Sequence, residues 1–280
     1  RLRPAGRGGL SLSDLARKTV PDSKGDWPMA PDRIAFMAST APAATEALRV
    51  LTARYGQQPL DRADVVVALG GDGFMLQTLH DVAGLPVYGM NCGTVGFLLN
   101  DYNEEGQIER LDAAEEAVIN PLAMRAETID GQTHQGLAIN EVSLLRAGPQ
   151  AAKLKISVNG KVRMDELICD GAIVATPAGS TAYNYSAHGP ILPIGSDVLA
   201  LTGIASFRPR RWQGAILPRS AVVRFDVLEP IKRPVMADAD SRSVKPVSWV
   251  EIRSEPAVVH RILFDPGHGL EERLMREQFA

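Results

Sequence analysis

The stretch from Asp64 to His80 leaves few folds open. The apolar run Asp64-Val65-Val66-Val67-Ala68-Leu69 reads as a buried strand. It is broken by Gly70-Gly71-Asp72-Gly73, and apolar residues resume at helical spacing from Phe74 to His80. Glycines between a strand end and a helix start let a ligand approach the backbone closely, beside helix N-terminal amides that suit an anion such as phosphate. Asp72 is planted in that turn. A carboxylate inside an anion-binding loop is electrostatically awkward unless it handles a hydroxyl proton or a metal ion, and this points to phosphoryl transfer.

The flanking segments extend the pattern. Arg33–Ala38 reads as a short buried strand, and Ala43–Tyr55 as a helix with Ala47, Leu48, Leu51 and Tyr55 on one face and Gly56 as its C-cap. Leu85–Met90 reads as a further strand, leading into the loop Asn91–Gly96, and a helix is expected near Glu104–Val118. Strand, helix, strand, helix, strand in this order implies a parallel sheet with right-handed crossovers. After Pro121 strands dominate. Asp130-Gly131 and Asn159-Gly160 each separate two alternating runs and favour the primed turns of two-residue hairpins. Further strands are expected at Ala138–Leu145, Ala172–Thr176, Ala221–Val227, Pro234–Met236 and Trp249–Ile252, with a tail helix over Leu270–Phe279.

The expected architecture is therefore α/β plus all-β: a Rossmann-like N-terminal domain with a parallel sheet (32–121), a β-rich, sandwich-like domain (122–262), and a C-terminal tail helix (263–280) packing back on the first domain. Residues 1–31, rich in Arg, Gly, Ser and Pro without sustained periodicity, read as a disordered extension.

Bulk properties exclude several classes. A net charge of −3 with dispersed Lys and Arg gives no footprint for nucleic acid, and Arg208-Pro209-Arg210-Arg211 reads as a solvated loop or subunit contact. Cys92 and Cys169 make neither a disulfide framework nor a zinc pattern. No apolar run approaches the ~20 residues of a membrane helix, so a cytoplasmic protein is expected.

Three other segments share the polar, glycine-rich character of the first. Asn91-Cys92-Gly93-Thr94-Val95-Gly96-Phe97-Leu98 follows a second parallel strand and so falls on the sheet edge where open α/β sheets place ligands; alone it reads as a plain turn. Asn140-Glu141 interrupts an apolar strand and must satisfy its polar groups somewhere. In Asp170–Tyr183 a strand runs into Thr176-Pro177-Ala178-Gly179-Ser180-Thr181-Ala182-Tyr183. Small hydroxyls and a Tyr beside open backbone suit a flat polar ligand, and equally a Ser/Thr-capped helix.

Together the four segments, in this order and approximate spacing, resemble the NAD kinases of the bacterial type. The likeness covers roughly residues 33–280, and Phe207–Trp212 and Asp265–Gly269 look like the alphaproteobacterial branch. The resemblance implies an enzyme that transfers the terminal phosphoryl group of ATP, or of polyphosphate, to the 2′-hydroxyl of the adenosine ribose of NAD. It implies Asp72 as general base, with Gly71 and Gly73 letting amides approach phosphates. Asn140 and Glu141 would hold the adenosine, Asp170 the nicotinamide end across a subunit boundary, and Thr181, Ala182, Tyr183, Asn184 and Ser186 the adenine and diphosphate region. His80 falls where the family often has a polar NAD contact, and reads equally as a surface histidine. The resemblance further implies Mg²⁺ or another divalent cation carried with the donor rather than a protein metal site, a homodimer or homotetramer, and a site in the crevice between the domains.

Two departures stand out. Asp240-Ser241-Arg242 replaces the Asp-Gly-Gln or Asp-Gly-Arg of many members, and residues 1–31 have no counterpart. The first motif alone is shared by diacylglycerol, sphingosine and 6-phosphofructo-kinases, so a lipid or sphingoid kinase is one rival reading. A non-catalytic dinucleotide-binding regulator is the other, though a pure binder gains nothing from a carboxylate beside phosphates.

Overall fold

The apolar run after Asp64 forms β2 (Val65–Gly70), buried at every position. It lies between β1 (Ile34–Ala38) and β3 (Pro86–Asn91), parallel to both. A strand flanked on both edges and covered on both faces has no solvent side, so its sequence does not alternate. The computed structural model describes residues 33–275 except 83, 94, 95, 211, 241, 270, 271 and 274. The expected extension 1–31 and most of the tail helix lie outside these residues. Between the strands run α1 (Pro42–Tyr55) and α2 (Asp72–Asp81). Helix α1 turns Ala44, Ala47 and Leu51 into a core shared with Phe36, Val67, Leu69 and Tyr88.

The next segment departs from expectation. β4 (Asn100–Asp101) pairs with the end of β3, and the helix expected over Glu104–Val118 is only α3 (Gln107–Asp112), followed by β5 (Glu115–Ile119). The sheet supplies the reason. Its order is β1-β2-β3-β18-β5, where β18 (His260–Phe264) returns from far along the chain, parallel to β3. Glu116 on β5 pairs with Arg261 on β18, so tertiary pairing overrides the local helical pattern. The end of β18 is anchored by Asp265, which accepts the Tyr88 hydroxyl at 2.5 Å and pairs with Arg110 at 2.5 Å.

The second unit contains β6 (Leu122–Thr128), β7 (Thr133–Ala138), β8 (Glu141–Arg146), β9 (Ala152–Val158), β10 (Lys161–Cys169) and β11 (Gly171–Ala175). A 3₁₀ turn (Ala178–Thr181) and α4 (Tyr183–Ser186) follow, then β12 (Val198–Ile204), β13 (Gly214–Pro218), β14 (Val223–Val227), β15 (Val235–Ala239), β16 (Arg242–Val244) and β17 (Val247–Ser254). One antiparallel sheet has the order β10-β9-β14-β17-β6-β7, the other β13-β12-β11-β8-β15-β16. Their inner faces share one core, including Met124, Val142, Leu154, Val174, Phe225 and Ile252, which makes the unit a sandwich. Asn159 (φ +52°) and Gly160 (φ +73°) close the β9–β10 hairpin as expected, with Val158 opposite Lys161. Asp130-Gly131 instead sits in a longer loop from Thr128 to Gln132.

The described chain thus forms two compact units: one up to Val118 together with Ala257–Pro266, the other Ile119–Pro256 with the tail from Gly267. The boundary expected after 121 lies at 118, and residues 257–262, expected in the second domain, belong to the first. No described helix is long and apolar enough to cross a membrane.

Candidate functional site

In the first unit Gly71 caps α2 without a side chain, and its carbonyl accepts the amides of Phe74 and Met75 at 3.0 Å each. The glycines of this turn differ in what they do. A Cβ on Gly70 would stand 3.0 Å from Phe74, so packing restricts that position. A Cβ on Gly71 or Gly73 would meet nothing within 4 Å. Space at those two positions lies outside the fold's own packing, as an approaching ligand requires.

Asp72 is the first residue of α2, and both its oxygens are engaged. Phe97 N–H donates to Oδ2 at 2.7 Å and Leu98 N–H to Oδ1 at 2.9 Å. The second glycine-rich loop therefore seats the carboxylate of the first. That loop is itself pinned: a Cβ on Gly96 would come within 2.5 Å of Leu99, while Leu98 and Leu99 are buried. Asn100 donates to Gly89 O (3.1 Å) and Leu263 O (3.0 Å) and accepts from Asp265 N–H (2.9 Å), tying β3, β4 and β18 together. The sequence reading passed over Asn100. Cys92 is half-buried, and burial pushes its thiol up from the usual range, which is the wrong direction for a reactive thiolate. His80 sits in the last turn of α2, packed edge-on against His260 with ring centroids 5.9 Å apart. Eight residues of helix place it about 12 Å from Asp72 along the axis, so the structure does not bring the two together.

In the second unit the strand expected over Ala138–Leu145 is split. β7 ends at Ala138, β8 starts at Glu141, and Ile139-Asn140 forms the connection. Two neighbours hold it. Asp240 accepts the amides of Ile139 (2.8 Å) and Asn140 (3.1 Å). Thr176 donates its hydroxyl to Ile139 O (2.7 Å) and its amide to Asn140 O (2.9 Å), while its hydroxyl accepts Gly179 N–H (3.0 Å). Gly179 lies so close that a Cβ would stand 2.1 Å from Asn140 O. Gly179→Ala is therefore expected to shift the Asn140 backbone and cost about 1–3 kcal/mol of stability; thermal unfolding of the variant checks this.

Glu141 is largely buried, and its Oε2 has no hydrogen-bond partner. Burial first, and the charge of Asp240 second, push its carboxyl up to about 8. Tyr183, half-buried, stands nearby: its phenol is raised first by burial and then by the charges of Glu141, Asp170 and Asp238. Asp170 pairs with Arg146 at 2.6 Å, both partners keeping substantial exposure. Thr181 and Ala182 are half-buried and Ser186 is exposed.

Asn184 differs from its expected place in a binding surface. It is fully buried; its amide donates to Ser180 O (3.1 Å) and Pro190 O (3.0 Å), and its carbonyl accepts the Thr202 hydroxyl at 2.7 Å. Both its N–H donors and its carbonyl oxygen are engaged inside the fold, the oxygen tying the segment to β12. The second unit thus holds Tyr183 within the electrostatic reach of Glu141 and Asp170, with Asn140 next to Glu141 in the chain, and the first unit holds Asp72 between Gly71 and Gly73. Asp240 was singled out in the sequence only as a departure. An acid at a tight turn between short strands is the one local signal it offers.

Comparison with known proteins gives these features a context. Residues 36–117 match the model of the ATP-NAD kinase N-terminal domain and residues 139–257 that of the ATP-NAD kinase C-terminal domain. The chain is 72% identical over 254 residues to an NAD kinase of Cereibacter sphaeroides, covering 90% of this chain and 100% of that protein. It is 56% identical over 254 residues to an NAD kinase of Hyphomonas neptunium, with the same coverage. Among solved structures, a yeast NADH kinase complexed with NADH superposes with a TM-score of 0.77 at 20% identity, over 90% of this chain and 89% of that one, a likeness of fold. An Archaeoglobus fulgidus NAD kinase in complex with ATP superposes with a TM-score of 0.67 at 25% identity, over 88% and 97%. With both domain models matched and a relative aligned over its whole length at 72% identity, the chain belongs to the ATP-NAD kinase family.

Proposed function

We propose that the protein is an NAD kinase that moves the terminal phosphoryl group of ATP onto the 2′-hydroxyl of the adenosine ribose of NAD, yielding NADP and ADP. The observation that carries the site assignment is Glu141 Oε2, a buried carboxyl oxygen without a hydrogen-bond partner. Native proteins rarely leave such an atom unsatisfied, and a ribose hydroxyl is a donor of the right size. Asn140 beside it and the half-buried Tyr183 ring offer an amide and a flat face to the adenosine. Thr181, Ala182 and Ser186 would line the adenine and diphosphate region and Asp170 the nicotinamide end; Asn184 supports this surface from beneath.

Asp72 is the base. Each of its oxygens accepts one backbone amide and keeps a lone pair, so the carboxylate is oriented before substrate arrives. The 2′-O–H proton passes to Asp72 as the new O–P bond forms, and the bond from the γ-phosphorus to the bridging oxygen of ADP breaks. Gly71 and Gly73 stand at a helix N-terminus where a Cβ would meet nothing within 4 Å, and their amides would receive phosphate oxygens. The donor would carry Mg²⁺ or another divalent cation, which would supply neutralisation of charge on its phosphates. The same reading takes the protein as a cytoplasmic homodimer or homotetramer, supported by the family resemblance, and sedimentation checks the assembly.

The experiment is NADP formation from NAD, ATP and Mg²⁺ by the purified chain, read through an NADP-specific dehydrogenase, with polyphosphate as a second donor. Turnover is expected. Binding of NAD without turnover from either donor would favour the regulator instead.

A further inference from the structure

Asp240 occupies a position that a polar turn residue does not need. β15 and β16 pair with Ala239 opposite Arg242, and Asp240 opens the tight turn between them with φ +50°. Asp tolerates the left-handed region because its short side chain bonds locally, ordinarily to its own turn. Here the carboxylate instead reaches across to the neighbouring connection and accepts both Ile139 N–H at 2.8 Å and Asn140 N–H at 3.1 Å. The Asp240 amide completes the contact by donating to Glu141 O at 3.3 Å. The register explains the reach: β15 runs antiparallel to β8 with Ala239 opposite Val142, so Asp240 falls beside the first residue of β8.

We propose that Asp240 is a positioning residue for dinucleotide binding, fixing the Asn140–Glu141 turn by capping the two amides that precede Glu141. The inference rests on the assignment of Asn140 and Glu141 to NAD under the proposed function. Thr176 holds the carbonyls of Ile139 and Asn140, whereas Asp240 holds their amides. With both sets of backbone groups taken, the peptide planes on either side of Asn140 cannot rotate without losing a bond, and the direction in which Glu141 leaves the chain is set before NAD arrives. The carboxylate also acts through space. It stands close enough to Glu141 to disfavour a second negative charge there, which favours the neutral carboxyl.

The test compares Asp240→Gly, Asp240→Asn and Glu141→Gln in the full chain by steady-state kinetics and thermal unfolding. Glycine adopts the left-handed turn without strain and removes only the carboxylate. Asparagine also adopts it and returns one acceptor oxygen. Asp240→Gly is expected to raise KM for NAD by about tenfold or more, the scale of losing charge-assisted bonds to two buried amides. KM for ATP and kcat should stay within about threefold, and Asp240→Asn should recover part of the loss. If Glu141→Gln raises KM for NAD and Asp240→Gly does not, the inference fails while the site assignment stands. If neither variant changes KM for NAD, the site assignment fails and the inference with it. Equal losses in both KM values together with a lower Tm would overturn a positioning role in favour of a general structural one.

Discussion

Asp72→Asn is expected to lower kcat for NADP formation by about 10²–10⁴-fold, the usual worth of a positioned general base, with NAD affinity nearly unchanged. The substituted amide has the same shape but cannot take the 2′-hydroxyl proton as the O–P bond forms. A second, smaller effect follows from the way the carboxylate is held. Phe97 and Leu98 each donate an amide to one of its oxygens. In asparagine one oxygen becomes an NH₂ group, so one of these amides faces a donor and is left unsatisfied. The variant should lose about 1–3 kcal/mol of stability, local to the loop after β3. Single-turnover kinetics, NAD calorimetry and thermal unfolding separate the two effects. A variant that loses stability but retains kcat would reduce Asp72 to a loop anchor.

Glu141→Gln should have the opposite sign in stability, and only at higher pH. Its folded-state carboxyl is raised to about 8, first by burial and then by Asp240, against an ordinary value near 4.5 in the unfolded chain. The folded protein therefore holds this proton over a range in which the unfolded chain has released it. The stability from a neutral Glu141 is fully present below about pH 4.5 and is lost as pH rises through about 8. Glutamine mimics the neutral form at all pH values. Denaturant titrations should find the variant close to the parent at about pH 4 and more stable at about pH 9, by roughly 2–4 kcal/mol. A pH-independent difference would mean that Glu141 is solvated and ordinary. Under the proposed function, stability gained this way is expected to come with a loss of NAD affinity, the usual trade at a functional site.

How much of this was legible in the sequence depended on how local its cause was. The β2–α2 turn could be read because burial on both faces, a glycine break and helical spacing all lie within a few residues. The β9–β10 hairpin could be read because Asn159-Gly160 carries its own backbone preference. Glu115–Val118 reads as helix because what makes it part of a strand is β18, contributed from far along the chain. The break before Glu141 was hidden for the same reason: the amides of Ile139 and Asn140 leave the strand ladder for a carboxylate at residue 240. Within the candidate site, the motifs mark segments but not the part each side chain plays in the fold. Asn184 looks like a ligand contact beside Tyr183, and only the Thr202 hydroxyl and the Pro190 carbonyl reveal it as internal scaffolding.

The return of β18 to the first sheet also bears on how the protein is made. A domain lying wholly at the start of a chain can fold while the ribosome is still working on the rest. Here the strand that separates β3 from β5 is encoded after the whole sandwich. Until residue 264 has left the exit tunnel, β3 has no neighbour along most of one edge and β5 has no sheet to join. The sandwich, contiguous in sequence from β6 to β17, has no such wait. Its strands can pair during synthesis while the parallel-sheet half keeps an open edge, the state most exposed to pairing with another nascent chain. A stop codon falling between Ser254 and His260 would thus spare the strands of the all-β half and leave the half that carries Asp72 unable to close.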